Sequence, residues 1–288
     1  MLARTPLERK IAMRPPLRTF LNDTSWTGAI VAHRGAWHHA PENSALAIKE
    51  AADRGYDFVE LDVQQSWDGT LFCLHDRTLD RTTDTIGAAA PRLWRDLRHV
   101  RLREGMGGDA PLTGEHIASL SDALAVAKDR TYLDIDTKFP DQITAVATAV
   151  KAAGMEDQVN LKREVNCRAD YEALRAMEDA TGIIVKPILF ADPGTVAQIR
   201  DLIVEARFPL VEVLCRDMEI VLHVAEVCSS VQTEVFVNTL DAMPSCPKTD
   251  SQALVDPDAV WGALARAQIR LIQTDEPAAL SAFLKAAA

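Results

Sequence analysis

Short apolar runs of strand length alternate along this chain with longer segments whose apolar residues recur every three or four positions. The two rhythms are those of buried strands and of helices with one apolar face. AIVAH, FVELDV, TYLDIDTKF, QVNLKR, IIVKPILF, LVEVLC, TEVFVNTL and RLIQT read as strands. PENSALAIKEAADRG, SLSDALAVAKD, DQITAVATAVKAAG, RADYEALRAMEDATG, TVAQIRDLIVEAR, MEIVLHVAEVCSS, DPDAVWGALARAQ and PAALSAFLKAAA follow them in turn as helices. Asn43 or Ser44 can cap the first helix, and Gly55 ends it. Alternation of this kind predicts a parallel sheet with helices outside. Eight such units most simply close into a single (β/α)8 TIM barrel.

Two stretches depart from the alternation. Residues 1–27 form a short N-terminal extension, in which Pro15-Pro16 prevents one continuous helix. After strand two, an Asp68-Gly69 turn leads into a second extended run, GTLFCLHD. Residues 77–118 then show weak periodicity and many Arg, Gly and Thr, and read as an excursion over one face, not as a compact domain. The barrel is therefore one domain, 28–288.

Composition narrows the partners. With 48% hydrophobic residues in 288, the chain can bury a large core. A net charge of −11 argues against a nucleic-acid backbone as main partner, though not against a phosphate ester held locally by a few cations. Cys73, Cys167, Cys215, Cys228 and Cys246 are odd in number and scattered, which fits a reducing, cytoplasmic setting better than a disulfide framework or zinc site. No apolar run approaches the roughly 18 residues of a membrane span. The first 18 residues carry Arg4, Arg9, Lys10, Arg14 and Arg18 against Glu8 alone, without the apolar stretch of a secretion signal. They read as a basic surface segment beside the barrel.

The chemistry collects in Ile30–Asp76. Glu60 and Asp62 lie two apart on a strand and so share one face, with Leu61 turned away. Adjacent carboxylates repel unless something positive lies between them. A divalent cation is the simplest answer; a solvated acidic edge strand is the alternative. Barrel active sites gather at the C-terminal ends of the strands. His33 follows strand one, His75 closes the extension of strand two, and Asp134, Asp136 and Lys138 share one face of the next strand. Lys162 ends the strand after that and reads as a substrate contact. Lys186 and Glu212 read as an internal ion pair or as caps on neighbouring loops, and His38, His39, His99, His116 and His223 as solvated or on helix surfaces.

Four motifs in order, His33-Arg34-Gly35, Pro41-Glu42-Asn43-Ser44, Glu60-Leu61-Asp62 and His75-Asp76, resemble those of the glycerophosphodiester phosphodiesterases. LDRTTDTIG (Leu79–Gly87) and the closing IQTDEPAAL (Ile272–Leu280) are also similar to that family, most strongly over 30–138. The resemblance implies a TIM barrel, one divalent cation (Mg2+ or Ca2+, with Mn2+ an option) and two catalytic histidines, His33 and His75. It further implies Glu60 and Asp62 as metal ligands and Arg34 and Lys138 as phosphate contacts. Where the family has Glu-x-Lys, this chain has Asp136 before Lys138, one methylene shorter, with Asp134 as the fallback ligand. The sphingomyelinase D-like enzymes are similar in using Asp there, and release a cyclic phosphate. Asn238 is similar to a polar Asn of the family, without the usual preceding Trp-Thr.

These readings lead to a metal-dependent phosphodiesterase that hydrolyses glycerophosphodiesters or related small polar phosphodiesters by histidine acid–base catalysis. A lyase of the same fold that stops at the cyclic phosphate is the second reading. A non-catalytic barrel that binds phosphate ligands is the third, and has no use for an acid–base pair.

Overall fold

The computed structural model describes residues 14–287. The parallel strands are β1 (Ala29–Ala32), β2 (Phe58–Gln65), β6 (Tyr132–Thr137), β7 (Val159–Glu164), β8 (Ile184–Phe190), β9 (Leu210–Leu214), β10 (Glu234–Asn238) and β11 (Leu271–Thr274). They are hydrogen-bonded in the order β1–β11–β10–β9–β8–β7–β6–β2, and β1 also pairs with β2. The order closes on itself, giving the (β/α)8 barrel that the alternation predicts. β3 (Leu71–Cys73) runs antiparallel to β2, and β4 (Arg101–Arg103) pairs with β5 (Leu112–His116) in a separate ribbon.

The helices are α1 (Leu17–Asn22), α2 (Ala45–Asp53), α3 (Trp94–Leu97), α4 (Leu120–Ala127), α5 (Ile143–Ala152), α6 (Arg168–Thr181), α7 (Val196–Ala206), α8 (Met218–Ser230), α9 (Asp250–Val255), α10 (Ala263–Arg266) and α11 (Pro277–Ala287). Local chemistry explains their ends. Ser44 caps α2 by accepting from Ala47 N at 2.9 Å, a contact of about 1 kcal/mol. Ser119 and Asp122 form a reciprocal capping box on α4. DPDAVWGALARAQ is not one regular helix: a π-turn at Asp258–Gly262 precedes α10, and its wider turn buries the consecutive residues Val260 and Trp261. α9 escaped the sequence reading because its Pro-flanked approach resembles a loop; a Thr249–Gln252 capping box starts it.

The chain falls into two compact units. In Ala32–Leu161, the excursion after β3 holds more order than its sequence suggested. Leu79, Ala89, Leu97, Val100, Leu102 and Ile117 form an apolar cluster with Phe72 and Leu74, beside the β4–β5 ribbon. Its apolar residues are too widely spaced to show a helical or strand period.

The other unit contains the described residues of Met1–Val31 and Lys162–Ala288. There α1 buries Leu17, Phe20 and Leu21, and Phe20 stacks on Trp26 at 4.9 Å. Arg4, Arg9 and Lys10 of the basic extension lie outside the described residues. Lys186 and Glu212 do pair, at 2.9 Å, with the ammonium 3.2 Å from the Phe236 ring centre. Asn238 accepts from Ser245 N at 2.7 Å and so holds a loop.

Candidate active site

Parallel register builds the acidic cluster. β2 pairs with β6 so that Glu60 stands opposite Asp134, and Asp62 opposite Asp136. The β-strand pleat turns all four to one face of the sheet. Among the described residues, Glu60, Asp62 and Asp136 each offer an oxygen within 4.8 Å of the others. Asp134, the fallback ligand, is outside this group. It is fully buried and accepts a hydrogen bond from Asn160, its register partner on β7. Asp134 is thus tied to the neighbouring strand β7, while Asp136 stands in the acidic cluster.

Three cationic or amide groups border the triad. Lys138 Nζ lies 2.6 Å from Asp62 Oδ1 and 2.9 Å from Asp136 Oδ2. Burial works against the Lys138 charge, but Asp62, Asp136 and Glu60 outweigh it and raise its pKa. Arg34 N donates to Glu60 at 3.2 Å. Arg34 Nε stands 3.4 Å from Asp62 Oδ2 without hydrogen-bond alignment, so this buried N–H has no acceptor. Asn43 Nδ2 donates to Asp62 Oδ2 at 2.8 Å, and its Oδ1 accepts from Asp62 N at 2.9 Å. Burial would push the Asp62 carboxyl up, yet Lys138, Arg34 and His75 together hold it well below the usual carboxylate range.

The turn after β1 is shaped for this contact. Arg34 and Gly35 both take left-handed backbone, with φ of 55° and 85°. At Gly35 a Cβ would overlap Ala47, so only glycine fits. Asn43 is also left-handed, a conformation asparagine tolerates better than most residues. Its backbone N donates to Arg34 O at 3.0 Å, which locks the two turns together. Hence Asn43 serves Asp62, and Ser44 alone caps α2.

His33 follows β1 and is buried; His75 lies two residues beyond β3 and is half-buried. His75 Nδ1 is 2.7 Å from Asp76 Oδ1. Asp76 is held down at about 2, chiefly by hydrogen bonds from Arg81. Arg81 also grips Glu42, which in turn accepts from Arg34 NH1 at 3.2 Å. An alternating chain of charges therefore runs from Asp76, the partner of His75, through Arg81, Glu42 and Arg34 to Asp62 and Lys138. Glu42, Asp76 and Arg81 had no role in the sequence reading. They stand inside its motifs, but their partners are as many as 39 residues away. Lys162, half-buried on β7, belongs to the other compact unit.

The carboxylate donor set is all oxygen, two of its members buried, and it already accommodates one cation in Lys138. Hard divalent ions suit such a set. No helix among the described residues is long and apolar enough to cross a membrane.

A model of the glycerophosphoryl diester phosphodiesterase family matches residues 33–181, just over half of the chain. The chain belongs to that family. A second model, a domain of unknown function, matches residues 186–284. A glycerophosphodiester phosphodiesterase of Caldanaerobacter subterraneus is 32% identical over 136 residues, 45% of this chain and 55% of that protein. The chain thus spans about half the length of that family member. Two solved structures share the fold. A glycerophosphoryl diester phosphodiesterase from Parabacteroides distasonis has a TM-score of 0.73 at 18% identity, covering 96% of this chain and 94% of its own. An Oleispira antarctica phosphodiesterase in complex with the product sn-glycerol-3-phosphate has a TM-score of 0.62 at 18% identity, covering 89% and 96%.

Proposed function

We propose that this chain is a metal-assisted phosphodiesterase that hydrolyses glycerophosphodiesters, or related small polar phosphodiesters, to a phosphomonoester and an alcohol. One observation carries the reading. The triad Glu60, Asp62 and Asp136 is flanked by Lys138 and by the unbonded, buried Nε–H of Arg34. A carboxylate cluster ready for a cation, next to donors ready for an anion, suits a phosphate ester. Family membership and the product bound to the Oleispira relative support the substrate class.

Glu60, Asp62 and Asp136 would hold one divalent ion, Mg2+ or Ca2+, with Mn2+ an option. Such an ion supplies charge neutralisation on a non-bridging phosphoryl oxygen. Arg34 and Lys138 bind and orient the same negatively charged group. In the reaction, the 2-hydroxyl of the glycerol headgroup forms a new O–P bond as the bond to the leaving alcohol breaks. Of His33 and His75, one takes the hydroxyl proton and the other protonates the departing oxygen. Water then opens the cyclic phosphate with the two roles reversed. We further propose that residues 28–288 are one barrel domain following the 1–27 extension in sequence, and that the protein works in the cytoplasm, a setting supported by five free cysteines.

Phosphorus NMR of sn-glycero-3-phosphocholine incubated with the protein and Mg2+ or Ca2+ tests the reading. A monoester signal is expected. A cyclic diester that persists would select the lyase, for which the shorter Asp136 speaks, and unchanged substrate would select a binding protein. Lys162 is proposed as a further phosphate contact, so Lys162→Met should raise KM; an unaltered KM removes it from the site.

A further inference from the structure

We propose that Arg81 is a positioning residue, a guanidinium that ties the carboxylate partner of His75 to the arginine and carboxylate half of the site. The inference rests on His75 acting as acid or base, as argued above.

Every N–H of Arg81 has an acceptor. Nε donates to Asp76 Oδ2 at 2.8 Å, and NH2 to Asp76 Oδ1 at 2.9 Å. NH2 also donates to Glu42 Oε1 at 2.7 Å, and NH1 to Glu42 Oε2 at 2.8 Å. The last donor, on NH1, goes to the carbonyl of Met106. Five donors in a rigid plane thus meet two carboxylates edge-on and one carbonyl, an arrangement that a lysine ammonium cannot reproduce.

The backbone is clamped as well. Arg81 O accepts from Gly108 N at 2.7 Å, and Gly107, with φ of 79°, passes so close that a Cβ there would overlap that oxygen. Loop 104–108 therefore fixes where the guanidinium begins, and Glu42 and Asp76 fix where it ends.

The consequence falls on His75. Asp76 Oδ1 is shared between Arg81 NH2 and His75 Nδ1. Held ionised, Asp76 can only accept, so Nδ1 carries the proton and Nε2 is left as the working nitrogen. At its other edge Arg81 grips Glu42, whose oxygens each accept from Arg34 at 3.2 Å. Arg34 reaches Glu60 and Asp62. The imidazole and the phosphate-binding arginine are thereby spaced by one continuous set of fixed hydrogen bonds. A surface arginine that merely neutralised charge would need neither the bidentate contacts nor the glycine clamp.

The test uses the full chain carrying Arg81→Lys, Arg81→Gln or Arg81→Ala, with sn-glycero-3-phosphocholine and saturating Mg2+ or Ca2+. Each variant should lose about 10–100-fold in kcat, the scale of lost orienting partners, while KM and calorimetric metal affinity stay near wild type. Arg81→Lys should not restore turnover, whereas added methylguanidinium should partly restore Arg81→Ala. Nitrogen-15 spectra of the His75 ring should show one Nδ1–H tautomer in wild type and a mixture in the variants. Near-normal kcat with an unchanged tautomer in Arg81→Lys would overturn the proposal. So would a parallel fall of kcat, metal affinity and unfolding temperature, the mark of a structural strut. If wild type leaves the ester intact, the functional reading fails, and the tautomer spectra still decide the role of Arg81.

Discussion

Lys138 occupies the position that a bound cation would compete for, and replacing it separates its structural role from its role in binding. Lys138→Met keeps most of the stem and deletes the ammonium that lies 2.6 Å from Asp62 and 2.9 Å from Asp136. Removing one partner of a buried ion pair costs roughly 3–5 kcal/mol, because the remaining charge is left without compensation. Here the cost is lower. Asp62 keeps Arg34 nearby and the Asn43 hydrogen bond, and the Lys138 side chain is 20% exposed. A loss of ~2–3 kcal/mol follows, which for a chain of this size lowers the unfolding temperature by about 3–5 °C. That loss applies in excess chelator. Saturating Mg2+ or Ca2+ should recover most of it, since a ligand that binds only the folded state adds RT ln(1 + [L]/Kd). The gain on metal addition should be larger in the variant than in wild type, where ammonium and metal compete for the same oxygens. Turnover should nonetheless fall and KM rise, because the phosphate loses a cation. Calorimetric unfolding of both proteins, with and without metal, checks the argument. A variant as stable as wild type in chelator, or one that no longer responds to metal, would refute it.

Glu60→Gln, Asp62→Asn and Asp136→Asn should each abolish metal-dependent activity, whereas Asp134→Asn should retain a substantial part; a metal-soaked crystal with the ion on Asp134 and not on Asp136 would overturn this assignment. His33→Ala and His75→Ala should each lower kcat by roughly two to four orders of magnitude while metal binding, read by calorimetry, survives. Near-normal turnover in either, with chemistry shown to limit the rate, would make that histidine structural. Burial pushes the Asp250 carboxyl up from 3.8 to about 6, against hydrogen bonds from Thr239, Thr274 and Asp275 N. Because the folded state holds this proton more tightly, its contribution is complete below pH 3.8 and is lost as pH rises through about 6. That displacement is worth ~3 kcal/mol at about 1.4 kcal/mol per pH unit. Denaturant titrations should show this downward trend over that window in wild type and not in Asp250→Asn; parallel profiles would refute it.

Much of the architecture is written locally. Strand parity alone puts Glu60 and Asp62 on one face, and helical spacing marks the helices that cover the barrel, because the periods of 2 and 3.6 depend only on backbone geometry. The motif residues His33 and Lys138 directly follow β1 and β6, and Arg34 and His75 lie two residues beyond β1 and β3. Other features depended on contacts between distant segments. Whether Asp134 or Asp136 joins the triad was set by the register of β2 against β6 and by Asn160 on β7, neither of which has a local signature. The apolar cluster after β3 forms from residues scattered between Phe72 and Ile117, too sparse for any periodicity to reveal. Glu42 and Arg81, 39 residues apart, meet where loop 104–108 bonds both the segment after β3 and the turn before α2. A single sequence states the charge of each side chain, but a hydrogen bond also needs distance and direction, and those come from the tertiary fold.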